Sequence, residues 1–120
     1  MRQEKKILIF DDNQELLELC TIILEEIGYQ IKTSSTSNEV ERQVSDFGPD
    51  IIFMDNWLPD VSGIEATKQL KSNSQLRHIP VIYFSANNNI VELAKEAGAD
   101  DFISKPFDII DLEDIVKKYS

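Results

Sequence analysis

Two adjacent carboxylates, a third further on and one ammonium each stand where a predicted strand gives way to a loop. Asp11-Asp12 follows Ile7-Leu8-Ile9-Phe10, Asp55 follows Ile51-Ile52-Phe53-Met54, and Lys105 follows the short stretch 101–104. In an open parallel α/β sheet the carboxyl ends of all strands lie on one edge, where such folds place their sites. Residues distant in sequence would therefore converge there. Three carboxylates beside one ammonium repel unless another cation neutralises them, and an all-oxygen donor set favours Mg²⁺. Ser85 ends a further apolar run, 80–84, and adds a hydroxyl to the same edge. The set suits phosphoryl transfer. Asp55 would be the nucleophile, Asp12 and, largely through water, Asp11 would hold the metal, and Lys105 and Ser85 would bind the remaining phosphoryl oxygens. Taken singly, Asp11-Asp12 and Ser85 also read as helix caps and Lys105-Pro106 as a surface turn. The one histidine, His78, lies in a polar loop and the one cysteine, Cys20, lies in a helical apolar pattern. Ser-His-Asp hydrolysis and zinc chemistry are therefore poorly supported.

Composition narrows the setting. A chain of 120 residues with 42% hydrophobic content is the size of one domain, read as spanning 1–120. Twelve basic against twenty-two acidic side chains leave a net charge of −10, which argues against binding duplex nucleic acid. A lone cysteine forms no internal disulfide and fits a reducing compartment. The polar N-terminus, Met1 to Lys6, leads into too short an apolar run for a signal peptide. No run approaches the roughly 20 apolar residues that span a bilayer. The expectation is a soluble, cytoplasmic protein that binds neither membrane nor DNA.

The elements that must position these residues follow from periodicity. Strands are predicted over 7–10, 30–34, 51–54, 80–84 and 101–104, and helices over 14–27, 38–47, 64–71, 90–97 and from Asp108, as cap, to about 118. In the first helix Leu16, Cys20, Ile23, Leu24 and Ile27 recur at helical spacing, with Gly28 as the stop and Ile22 on the opposite, surface side. Five βα units in succession predict a parallel sheet covered by helices on both faces, joined by right-handed crossovers.

Across its whole length the chain resembles a response-regulator receiver domain, the phosphoacceptor module of bacterial two-component signalling. The likeness rests on Ile7 to Asp12, Asp55, Leu58-Pro59-Asp60, Gly63, Ser85-Ala86 and the stretch from Gly98 through Lys105-Pro106-Phe107, in that order and spacing. It implies a flavodoxin-like (βα)5 fold, a doubly wound five-stranded parallel sheet of strand order 2-1-3-4-5. It also implies a phosphoacceptor rather than a conventional turnover enzyme, one that catalyses its own phosphorylation and dephosphorylation. Asp55 matches the phosphorylated aspartate, Asp11 and Asp12 the metal-binding pair, and Trp57 the residue whose backbone carbonyl reaches the Mg²⁺. Lys105 matches the phosphoryl-binding lysine, Ser85 the hydroxyl that moves toward the phosphoryl group, Ala86 the small residue that leaves the nucleophile open, and Phe102 the switch aromatic. A cis peptide before Pro106 is implied as well.

The same resemblance implies partners: a sensor histidine kinase or a histidine phosphotransfer protein, and a downstream protein target. Asn13, Leu17 and the Pro106-Phe107 loop are expected to border the cleft and are the candidates for docking a kinase's histidine-bearing helices. The signal would leave through the fourth helix, fifth strand and fifth helix, near 87–93, Phe102 and 107–112. With no room for an output domain after the last helix, the chain reads as a stand-alone receiver, a receiver cut from a longer regulator being the other reading. Two departures stand out. Asn56 occupies a position usually apolar in these domains, and Trp57 brings a large indole to a rim where smaller side chains are common. The rival enzyme reading, a haloacid-dehalogenase-like phosphatase, wants a second aspartate where Trp57 stands. A receiver that serves only as an unphosphorylated interaction module would not need the intact acidic set.

Overall fold

The computed structural model describes residues 5–120, so Met1 to Glu4 of the polar N-terminus lie outside the described residues. Strands β1 (Lys6–Phe10), β2 (Gln30–Ser34), β3 (Ile51–Asp55), β4 (Val81–Ser85) and β5 (Asp101–Ser104) alternate with helices α1 (Gln14–Glu26), α2 (Val40–Phe47), α3 (Gly63–Ser72), α4 (Ile90–Ala97) and α5 (Ile109–Lys118). The strands form one parallel sheet in the order β2-β1-β3-β4-β5. This is the doubly wound, flavodoxin-like architecture expected, and β3 and β4 are buried at every residue.

Alternation along the strands divides the interior in two. Leu8, Phe10, Ile52, Met54, Val81 and Tyr83 point to one face, where Val40, Val44, Ala66, Leu70, Ile90 and Ala94 of α2, α3 and α4 cover them. Ile7, Ile9, Ile51, Phe53, Ile82 and Phe84 point to the other, against Leu17, Cys20 and Leu24 of α1 and Leu112 and Val116 of α5.

Local chemistry fixes the element ends. Asn13 caps α1 by accepting the Leu16 N–H at 3.2 Å, and Ser62 caps α3 by accepting that of Glu65 at 3.2 Å. Asp108 and Asp111 form a reciprocal capping box at α5. Helix α2 starts two residues later than its sequence pattern indicates, because Glu39 takes a left-handed conformation with φ 52°. A second correction concerns Leu17, expected at the rim of the cleft as a docking residue. It is buried in the α1–α5 core, because α1 turns it inward with Cys20 and Leu24. Ile22 is exposed, as expected.

Register places the site. Phe10 pairs with Met54, so Asp11 and Asp55 come level at the carboxyl edge. Ser85 pairs with Ser104, which sets Lys105 one residue beyond Ser85.

Candidate functional site

At that edge a cleft of about 360 Å³ is lined by Asp11, Asp12 and Asp55, by Trp57, by Ser85 and Ala86, and by Lys105. Asn13 and Asn87 complete its wall. Ligand oxygens of Asp11, Asp12 and Asp55 all lie within 4.8 Å of one another, the one such acidic group among the described residues. Asp11 and Asp55 are buried while Asp12 is exposed.

Lys105 is the counter-charge. Its Nζ donates to Asp11 Oδ2 at 2.7 Å and to Asp55 Oδ1 at 3.1 Å, and lies 4.6 Å from the centre of the Phe84 ring. The Lys105–Pro106 peptide is cis, as the resemblance implied, and the Lys105 N–H donates to the Ser85 carbonyl at 2.9 Å. Burial alone would lower the lysine's pKa, but its hydrogen bond to Asp11 and the charges of Asp55 and Asp11 outweigh it, and the net shift is upward. One ammonium does not balance three carboxylates. Burial, with the charge of Asp11 next, raises the Asp55 pKa to about 6 against the lowering effect of Lys105. The donor set fits a divalent cation on this ground: all ligands are oxygen, they are close enough to share one ion, and the protein leaves their charge under-compensated.

Of the remaining expected residues, Ser85, Ala86 and Trp57 line this cleft and Phe102 does not. Ser85 is buried, and its Oγ accepts the Asn87 N–H at 3.1 Å, holding the start of the β4–α4 loop. Trp57 is 76% exposed at the rim. Phe102 pairs in register with Tyr83 and is 37% exposed.

Three features escaped sequence reasoning. Asn87, expected on the output face, also lines the cleft, because its N–H turns back to Ser85. Gly63 sits where a Cβ would lie 2.0 Å from the Asp55 carbonyl oxygen and 3.1 Å from the Asn56 Cα; only a residue without a side chain lets α3 start so close to the end of β3. Asn56 is not stranded among apolar neighbours, since its Oδ1 accepts a hydrogen bond from the buried Tyr83 hydroxyl.

Five parallel strands in the 2-1-3-4-5 order, with a carboxylate triad and a lysine at their carboxyl edge, define a phosphoacceptor-type α/β domain. Residues 7–117 match the response regulator receiver domain, and the chain belongs to that family of two-component signalling proteins. It is 34% identical over 117 residues to the polar-differentiation response regulator DivK of Brucella ovis, covering 96% of this chain and 95% of DivK. It is 34% identical over 110 residues to the CAI-1 autoinducer sensor kinase/phosphatase CqsS of Vibrio cholerae, covering 89% of this chain but only 16% of CqsS. The receiver domain of sensor histidine kinase PA1611 from Pseudomonas aeruginosa, whose crystal structure has a magnesium ion coordinated in the active-site cleft, superposes with a TM-score of 0.89 at 26% identity, covering 98% of both chains. Among the described residues no helix is long and apolar enough to cross a membrane.

Proposed function

We propose that Asp55 accepts a phosphoryl group from a phosphohistidine of a sensor kinase or phosphotransfer protein, in a Mg²⁺-dependent reaction that this chain itself catalyses. The observation that carries the reading is Lys105, held between Asp11 and Asp55 at hydrogen-bonding distance from both. A positive donor held beside Asp55 supports the reading, because the oxygens of a group carried on Asp55 need such a partner.

With a pKa near 6, Asp55 is mostly ionised at neutral pH. A carboxylate oxygen attacks phosphorus in line, the new O–P bond forms as the donor's P–N bond breaks, and the imidazole leaves with the electron pair and takes up a proton. Lys105 neutralises charge on the equatorial oxygens. Ser85 Oγ, which uses one lone pair on the Asn87 N–H, keeps its own proton to donate to the same oxygens. Ala86, without bulk beyond Cβ, leaves the approach to Asp55 open to the donor. Asp11, Asp12, Asp55 and the Trp57 carbonyl are the groups that would hold Mg²⁺, whose charge lets donor and acceptor anions meet.

The added dianion shifts a two-state element. If Ser85 turns inward to the phosphoryl group, the half-exposed Phe102 has space to follow, changing the surface formed by α4, β5 and α5. Phe102 carries no hydroxyl, so ring burial alone must supply the difference between states. We place this receiver domain in the cytoplasm, acting on a protein target.

The test is to incubate the protein with Mg²⁺ and radiolabelled acetyl phosphate. The parent takes one acid-stable, base-labile label, and Asp55→Asn takes none. Label on Asp55→Asn would move the acceptor elsewhere.

A further inference from the structure

Beside the acceptor is a polar pair that the reaction as described leaves unused. Tyr83 is fully buried among apolar residues, and its hydroxyl donates to Asn56 Oδ1. Buried tyrosines need a partner for the hydroxyl, but a phenylalanine facing an apolar side chain would pack here without that need. The pair therefore calls for a reason beyond core filling.

Its placement supplies one. Asn56 directly follows Asp55 and precedes Trp57, and its own carbonyl accepts the Gly63 N–H at 3.1 Å. One residue thus ties the end of β3 both to the middle of β4 and to the first turn of α3. The far side of the β3–α3 loop is pinned separately, by Thr36 Oγ1 donating to Asp60 Oδ2 at 2.8 Å and by the Ser37 hydroxyl donating to the Val61 carbonyl. On the acceptor's side the Asn56 bonds to Tyr83 and Gly63 close the loop at its root, and Tyr83 provides the side-chain anchor.

We propose that Tyr83 and Asn56 are a positioning pair, which fixes the chain direction at the root of the β3–α3 loop so that the Asp55 carboxylate and the Trp57 backbone carbonyl address one point. This rests on the reading of Asp55 as acceptor and of the Trp57 carbonyl as a metal ligand. Burial, with the nearby charge of Asp55 next, raises the Tyr83 pKa, so the hydroxyl remains a donor throughout the physiological range.

Three variants test it: Tyr83→Phe, Asn56→Leu combined with Tyr83→Phe, and Asp55→Asn. Mg²⁺ is titrated with Trp57 fluorescence as the signal, exchange of the Gly63 amide is followed in metal-free protein, and stability is read from urea unfolding. Losing one hydrogen bond of ordinary strength predicts that Tyr83→Phe binds Mg²⁺ about fivefold more weakly and exchanges the Gly63 amide faster by a similar factor. The double variant, with no polar group left unpaired, regains stability but not Mg²⁺ affinity. A merely structural pair would recover both together, and that result, or parent-like affinity in Tyr83→Phe, overturns the proposal. Label on Asp55→Asn overturns the acceptor reading and this proposal with it, whereas a label-free Asp55→Asn beside a parent-like Tyr83→Phe overturns the positioning pair alone.

Discussion

Lys71 and Lys105 sit at opposite ends of the same sheet with nearly equal side-chain exposure, 19% and 20%, yet their surroundings differ in kind. At the amino end, Lys71 Nζ donates to the Arg77 and Ile79 carbonyls at 3.0 Å each and to Asp100 Oδ2 at 2.6 Å. Asp100 Oδ2 also accepts the Val81 N–H at 2.8 Å. Every ammonium proton has an acceptor and one cation meets one anion. At the carboxyl end, Lys105 has two carboxylate partners and a third carboxylate close by. The first arrangement is closed and serves the fold; the second carries surplus negative charge that only something from outside can balance. Asp11 and Asp55 are 1% and 8% exposed and under-compensated, which marks the candidate functional edge, whereas Asp100 is 39% exposed in a saturated pair that acts as a strut.

The contrast can be broken at either end. Lys105→Met leaves three carboxylates without their cation, and in metal-free protein at pH 7 it is expected to lose about 4 kcal/mol. Urea unfolding should show most of that loss reversed by millimolar Mg²⁺, and persistence of the loss in Mg²⁺ would deny that the ion and the lysine share one charge cluster. Asp55→Asn acts in the opposite sense. A carboxyl near pKa 6 when folded and about 3.9 unfolded binds protons more tightly in the folded state, so its ionisation lowers stability as pH rises from about 4 through 6. The metal-free variant should therefore exceed the parent by about 2 to 3 kcal/mol at pH 7, with the gap opening between pH 4 and 6. A gap that stays constant with pH would point to packing instead.

Lys71→Met should lose about 2 kcal/mol, with no rescue by Mg²⁺ and no change in phosphate uptake. Rescue by Mg²⁺ would erase the distinction between the two lysines. Trp57→Asn is the smallest in stability, within about 0.5 kcal/mol, because the indole is mostly in solvent. Its expected effect is on the lifetime of the phosphorylated form, through altered access of water, and equal dephosphorylation rates in variant and parent would remove that role for the side chain.

The candidate site was legible in sequence because Asp11, Asp55 and Ser85 end buried apolar strands, while Lys105 follows a short strand of which only Ile103 is buried. Asp11, Asp55, Ser85 and Lys105 need only the rule that parallel strands end together. What stayed hidden depends on side chains meeting across strands. Tyr83 reads as one more apolar residue of β4, and Asn56 as an oddity beside the acceptor; nothing in either local pattern reveals that register and a short loop bring the hydroxyl to the amide. Leu17, expected to border the cleft, is turned into the core with Cys20 and Leu24, since helical phase decides which way a side chain of α1 faces. The late start of α2 at Val40 follows from a positive φ at Glu39, a residue type that carries no such signal.

The contact between Gly63 and the backbone of Asp55 has a mechanical reading. With no side chain between them, the first turn of α3 rests directly on the peptide of residue 55. A displacement of that peptide, as when a bulky anion is attached to its side chain, has no slack to be absorbed in and must tilt the ten-residue helix or be resisted by it. Strain placed at one atom is thereby shared with a rod some 15 Å long.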